Sequence, residues 1–496
     1  MKSTNSLMLN ASHSALLCAI SGHAVTVPDK VALVAGDRRI SYSQLAGRIE
    51  AAASWLQSLG LKPGDHVLLS AQKELEFVYI YFAAHMLGVV NVVVDSAAPR
   101  ERLQYIVDVV KPACLFGDNL EVEGYRCLQL STSLDDVTSR DVAWASPGIT
   151  RDAVADVMFT TGTTGSPKGV CLTHANVAAS AANTNGFIGN GSDDIEALAL
   201  PLSHSFGLGR LRCTLTAGAT LVLVNNFANL KAFFNILETE HVTGFGMVPA
   251  VWQYIKRLSG KRIAKFAEQL HYIEMGSAAL PVEDKRLLMD IFPHTRLCMH
   301  YGLTEASRAM FSEFHDNVGN LETIGRPASD KVQAVVVNDD GEPLDDGVDG
   351  EICVRGNMVT RSYFLKADND GAFYGDWFRT GDWGHRDQDG NFYLTGRKKE
   401  LINVGGEKVS PVTIEEAIKS LGITDCACVA VPDPNGVLGE VPKAFLQKGD
   451  SNLTIDDIKE RLNGLLPTNE IPVLWEWIDK IPRTASGKIQ RLNLKQ

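Results

Sequence analysis

The 496 residues are 45% hydrophobic and 21% charged, the make-up of a globular chain with a full core, and the length predicts two or three domains. A net charge of −12 excludes the broad basic face that general nucleic-acid binding needs. No apolar run reaches the roughly 18 residues of a membrane helix. The nine cysteines are scattered without a C-x-x-C pair, which points to reduced thiols in a cytoplasmic protein. Residues 15–20 are apolar but short, with only Lys2 ahead of them, and read as the start of a folded segment rather than a signal peptide. The last residues, Leu494-Lys495-Gln496, form no peroxisomal address.

From about residue 25 to 119 strands and helices alternate. Residues 31–34 and 66–69 are apolar runs bounded by Gly and Asp, hence strands. Between them a helix is expected to begin near Ser41 and to end at Leu59, with Gly60 as its cap. Residues 76–87 read as a second helix and 89–94 as a buried strand. This alternation predicts an α/β fold of mostly parallel sheets covered by helices.

An alternating stretch, 154–159, reads as a strand and runs into Phe159-Thr160-Thr161-Gly162-Thr163-Thr164-Gly165-Ser166-Pro167-Lys168-Gly169. Glycines let backbone N–H groups approach an anion, hydroxyls add neutral donors, and Lys168 adds a point charge. The pattern is that of a phosphate-cradling loop. It is not the P-loop of kinases and GTPases, whose template fails at Pro167.

Further on, a strand ending at Pro201 is expected to deliver His204 and Phe206 into a loop. A second strand, starting at Ile273, meets the small residues Gly276, Ser277, Ala278 and Ala279, against which a flat ring can lie. The run 297–299 precedes His300-Tyr301-Gly302-Leu303-Thr304-Glu305. Asp382 follows Gly381 in a turn, and a carboxylate there can accept both hydroxyls of a ribose. The charged run 397–400, taken alone, would be a solvated face. From about residue 401 the pattern becomes a small α+β unit of roughly a hundred residues, and a Ser-Gly-Lys turn near the end holds Lys488.

In this order the motifs resemble those of the AMP-forming acyl- and aryl-acid ligases, the superfamily of acyl-CoA synthetases, luciferases and nonribosomal-peptide adenylation domains. The likeness spans essentially the whole chain and is strongest to the acyl-CoA synthetase branch. It implies a large core, 1–398, with a smaller β subdomain, and a mobile C-terminal domain, 399–496, turning about a hinge at Lys399. It implies that Thr160, Thr161, Gly162, Thr163, Thr164, Gly165 and Lys168 hold the β,γ-phosphates of ATP. Gly276, Ser277, Ala278 and Tyr301 are then placed at adenine, Thr304 at the α-phosphate, Asp382 at ribose, Arg397 at ribose or phosphate, and Glu305 at Mg²⁺. A single carboxylate suits Mg²⁺, which keeps several waters and takes its other ligands from phosphate oxygens. His204, Phe206, Gly246, Met275, Gly276 and Leu303 are placed in the acid pocket, and Lys488 becomes the catalytic lysine.

Three positions depart from the family pattern. Thr161 stands where Ser is usual, Thr413 where Glu is common, and Ala430 where Gly is common. Ser203, His204 and Ser205 also leave no Asp to pair an α-ammonium, which weighs against an amino-acid substrate. The implied reaction is activation of a carboxylic acid to acyl-AMP with release of pyrophosphate, then acyl transfer. Coenzyme A is the first expectation for the acceptor, with an amine or a free carrier protein as alternatives. Lys488 lies eight residues from the end, so no fused carrier domain is expected. Small residues at 246 and 276 predict room for a ring or a modest chain, hence an aromatic, cyclic or medium-chain acid. A binding protein without catalysis would have no need for both Lys488 and Glu305.

Overall fold

The computed structural model describes residues 14–118, 120–125, 127–130, 148–160, 167–447, 453–483 and 489–494. Two sheets form the bulk of the chain. One has seven strands, and its centre pairs His66–Ala71, Val90–Asp95 and Val154–Phe159 in parallel. The other has nine, with Ile195–Leu198, Thr220–Leu223, Gly244–Met247, Tyr272–Met275 and Arg296–Tyr301 parallel to one another and antiparallel strands at its edges. Continuous apolar strands of this kind need cover on both faces. The helix Leu75–Leu87 supplies it, buried at all its residues and sharing one core with strands of both sheets. Tyr42–Ser58 is capped at Ser41 by a capping box with Gln44 and is followed by Gly60 at φ 84°. Residues 15–26, expected only as the start of a folded segment, form a helix packed into the same core.

Two buried arginines on the helix Ser205–Thr216 tie it to both sheets. Arg212 reaches Asp156 of the seven-stranded sheet at 2.6 Å, and Tyr81 and His85 of the central helix bond the same carboxylate. Arg210 reaches Glu196 and Glu274 of the nine-stranded sheet. Breaking a buried pair of this kind costs about 3–5 kcal/mol, so the helix is held rigidly where its first turn meets the strand ends.

A five-stranded antiparallel sheet follows, built around Gly350–Gly356 and Trp377–Arg386, with Phe392–Arg397 pairing the latter. Beyond the turn at 398–400, a hairpin, two helices and a three-stranded sheet enclose a separate apolar core. Among the described residues no helix is long and apolar enough to cross a membrane.

Candidate active site

The strands Val154–Phe159 and Gly169–Thr173 pair antiparallel, so the phosphate-loop sequence is the connection of a hairpin. Thr160 N–H donates to the Lys168 carbonyl at 2.9 Å, and Lys168 N–H to the Thr160 hydroxyl at 3.3 Å, which pinches the loop at its base. Thr161, Gly162, Thr163, Thr164 and Gly165 lie outside the described residues. Lys168 Nζ stands 3.3 Å from Asp368 and 5.1 Å above the ring of Tyr363. The Tyr363 hydroxyl donates to Glu305 at 2.8 Å. Tyr363 thus contacts Lys168 with its ring and Glu305 with its hydroxyl, although Glu305 is 58 residues from it in sequence. Burial first, then the Glu305 charge, push the tyrosine hydroxyl's pKa far up, so it stays a donor. Glu305 is itself buried, with its backbone carbonyl bonded by Thr360 N–H at 2.7 Å. Its carboxylate offers the hard oxygen donor that Mg²⁺ takes, and no cluster of three such ligands exists among the described residues.

Tyr301, Asp382 and Arg397 also converge. The Tyr301 hydroxyl donates to Asp382 at 2.5 Å, and Arg397 Nε meets the other carboxylate oxygen at 2.7 Å. Arg397 Nη1 donates to the Thr380 carbonyl at 3.1 Å. Burial opposes the Arg397 charge, but the neighbouring Asp382 raises its pKa above the ordinary value. Burial and Asp382 likewise hold the Tyr301 phenol protonated. Asp382 does not sit in a turn as expected. Gly381, at φ 69°, kinks a continuous ten-residue strand, Trp377–Arg386, and aims the carboxylate at Tyr301.

On the acid side, His204 is the exposed N-cap of the helix Ser205–Thr216, and Phe206 lies in its first turn rather than in a loop. The strand before it, Ile195–Leu198, ends short of Pro201. Met275 closes the strand Tyr272–Met275 and is buried, whereas Leu303 and Thr304 are half-buried. Ser277 takes φ 73°, an uncommon conformation for a residue with a side chain, where the chain turns through Gly276–Ala278. The expected room at the two glycines is absent. A Cβ on Gly246 would fall 2.9 Å from Leu200 and 3.1 Å from Phe206, and one on Gly276 would fall 2.1 Å from the His300 ring. Side chains of the protein itself fill both spaces.

Lys399 is exposed in the turn that follows Phe392–Arg397. Its neighbour Lys398 pairs with Glu351 and Asp339, both at 2.8 Å, and Lys408 shares Asp339 at 2.9 Å. Gly405 and Gly406, at φ 62° and 98°, form the tight turn between Ile402–Val404 and Glu407–Val409. Lys488 lies outside the described residues. Sequence reading missed Tyr363, His300, Glu274 and Arg308. No local motif marks Tyr363, while His300 stands beside a residue already singled out.

The fold has close counterparts among solved structures. The o-succinylbenzoate CoA synthetase MenE from Bacillus subtilis, solved with its acyl-adenylate intermediate, superposes with a TM-score of 0.87 over 98% of each chain at 24% identity. In sequence, the oxalate–CoA ligase of Arabidopsis thaliana is 30% identical over 94% of this chain and 95% of its own. The indoleacetate–CoA ligase of Aromatoleum aromaticum is 30% identical over 96% and 97%. The AMP-binding enzyme family matches residues 21–364, and the AMP-binding enzyme C-terminal domain matches 413–488. The chain belongs to the AMP-binding enzyme family.

Proposed function

We propose that this protein is an AMP-forming acid–CoA ligase: it activates a carboxylic acid with Mg-ATP to acyl-AMP and pyrophosphate, then passes the acyl group to coenzyme A. The observation that carries the reading is the pair of clusters Tyr301–Asp382–Arg397 and Glu305–Tyr363–Lys168, with the Glu305 charge acting on Arg397. Asp382 accepts ribose hydroxyls while Arg397 and Tyr301 orient its carboxylate. Tyr301 lies beside the base. Lys168 and the hydroxyls of the hairpin loop hold the terminal phosphates, and Thr304 the α-phosphate. Glu305 supplies the one protein oxygen for Mg²⁺, which screens phosphate charge when bound. Attack on the α-phosphate asks for positioning and charge neutralisation more than for proton transfer. Lys488 bridges the attacking carboxylate and the α-phosphate in the transition state.

For the second step the C-terminal domain, 399–496, turns about Lys399, withdraws Lys488 and presents the Gly405–Gly406 turn. Two exposed glycines leave room for a slender thiol arm there. Relatives named as CoA ligases support coenzyme A as acceptor, and an amine or a carrier protein is the alternative. The relatives' acids range from oxalate to indoleacetate and do not choose among acids; indoleacetate favours the aromatic reading, whereas the filled spaces beside Gly246 and Gly276 count against it. Nine unpaired thiols support a reducing, cytoplasmic setting. Several are pushed up by burial, Cys171 to about 11 and Cys426 to about 12.

The test is pyrophosphate release over a panel of acids, with AMP identified as co-product and hydroxylamine trapping the activated acyl group. Each responsive acid is then rerun with coenzyme A and the thioester sought by mass. ADP as product would overturn the reading. Activation without thioester would move the acceptor to an amine or carrier.

A further inference from the structure

Across the turn at 398–400 runs a chain of ion pairs that the reaction above does not use. The turn after the strand Val332–Val337 carries Asp339, and the Tyr374 hydroxyl donates to the Asp339 carbonyl at 3.0 Å, which fixes the turn from behind. The Asp339 carboxylate meets Lys398 at 2.8 Å through one oxygen and Lys408 at 2.9 Å through the other. Lys398 also reaches Glu351 at 2.8 Å, and Glu351 pairs with Arg379 at 2.9 Å. Lys408 Nζ stands 4.2 Å above the ring of Trp383. Among the described residues, Lys408–Asp339 is the one ion pair that joins 1–398 to 399–496.

These groups occupy one face of the five-stranded sheet. Glu351 and Trp383 are partners in register on adjacent strands, so their side chains share a face. Asp382, the residue before Trp383, points the other way, to Tyr301. Exposure along Trp377–Arg386 alternates accordingly, with Phe378, Thr380 and Asp382 buried and Arg379 and Trp383 half-buried. The sheet therefore lies between Lys408 and the ribose side chains. The Gly405–Gly406 turn closes the hairpin of Ile402–Val404 with Glu407–Val409, and Lys408 is two residues past Gly406. While Lys408 rests on Asp339 and Trp383, that turn is kept on the far side of the sheet. Hydrogen bonds from Lys398, then Lys408, hold the Asp339 carboxyl down to about 2, so the ties are charged at neutral pH.

Resting on the ligase reading, we propose that Asp339 is a positioning residue: with Trp383 it clasps Lys408 and holds the C-terminal domain in the arrangement for acid activation, and acyl transfer requires the clasp to open. Lys398 is tied on both sides, to Glu351 and Asp339, so the turning begins at Lys399, the exposed residue after it. The clasp is open enough to water to be reversible. The Asp339 side chain is 62% exposed and that of Lys408 37%, so both charges are re-solvated when they part. A pair of this kind biases an equilibrium about two- to fivefold. That suits a contact released in every cycle, which a fully buried pair would not permit.

Each half-reaction runs in proportion to the population of its own arrangement, so the ratio of the two rates follows the equilibrium between them. On the full chain, pyrophosphate release is measured over a panel of carboxylic acids that includes oxalate and indoleacetate. Thioester formation is measured separately, from coenzyme A and the synthetic acyl-AMP of the acid that responds best. Hydrogen exchange of the amides in 402–409 is followed without substrates. Asp339→Ala is expected to lower the ratio of activation to transfer about two- to fivefold, and Asp339→Lys, which repels both lysines, about tenfold. Transfer itself should not fall, and exchange in 402–409 should quicken. Trp383→Leu, which removes the ring beneath Lys408 and keeps an apolar cover, should lower the ratio about two- to fivefold. Salt at about 0.5 M should lower the ratio in wild type and leave it unchanged in Asp339→Ala. An unchanged ratio in Asp339→Lys, or equal loss of both halves, would overturn the clasp and leave the ligase standing. No pyrophosphate release from wild type with any acid, alongside faster exchange in Asp339→Lys, would overturn the ligase reading and leave the clasp as a tie between the two parts of the chain. Neither pyrophosphate release nor a change in exchange would overturn both.

Discussion

Replacing Asp382 by Asn removes the charge at the centre of the nucleotide cluster while keeping its shape. The carboxylate is 2% exposed and is bonded by Tyr301 and Arg397 through different oxygens. The amide can keep both neighbours by accepting from Arg397 and donating to Tyr301. Arg397 is 43% exposed on its side chain, so water can re-solvate it and the fold should lose no more than about 1 kcal/mol. Nucleotide binding should suffer more. A hydrogen bond to a charged acceptor contributes about 1.5–3 kcal/mol against about 0.5–1.5 for a neutral one. The loss is then about 1 kcal/mol at each ribose hydroxyl, and two of them weaken ATP about 30-fold. Calorimetric ATP titration of Asp382→Asn, with a thermal melt as control, checks this. Wild-type ATP affinity in a folded variant, or an equal loss of affinity for the acid, would refute the assignment of Asp382 to ribose.

Three further outcomes are expected. Tyr363→Phe removes the donor that orients Glu305, so half-maximal pyrophosphate release should need about tenfold more Mg²⁺, with the wild-type rate restored at high Mg²⁺; an unchanged Mg²⁺ dependence would separate Glu305 from the metal. Lys488→Ala should abolish acyl-AMP formation while sparing thioester formation from supplied acyl-AMP, and equal loss of both would sink the alternating-domain scheme. His174 is buried without hydrogen-bond partners, and burial, then His85, lower its pKa to about 3. Protons therefore bind the unfolded chain first, so stability present above the ordinary histidine range is lost as pH falls from about 6.5 toward 3. Between pH 6.5 and 5 this amounts to about 2 kcal/mol; urea melts of His174→Phe, which keeps the ring against His85, should show a flatter slope over that window.

The sequence by itself determined the class of sheet, because continuous apolar strands alternating with capped helices leave few other ways to bury both faces; residues 42–58, 75–87 and 90–95 formed as expected, within a residue or two. It also determined which family the chain joins, since the hairpin loop, Tyr301, Asp382 and Arg397 are short motifs whose chemistry survives without knowledge of their surroundings. What lies between motifs was decided only by tertiary structure. Tyr363 links Lys168 to Glu305 across distant parts of the chain, and no local spacing encodes a contact made by folding. The two glycines illustrate the same limit. A missing side chain at 246 or 276 reads as space in a sequence, but whether that space is open depends on Phe206 and His300, and their positions are set by Arg308 and Glu274. Room is a property of neighbours in three dimensions, and the chain alone does not name them.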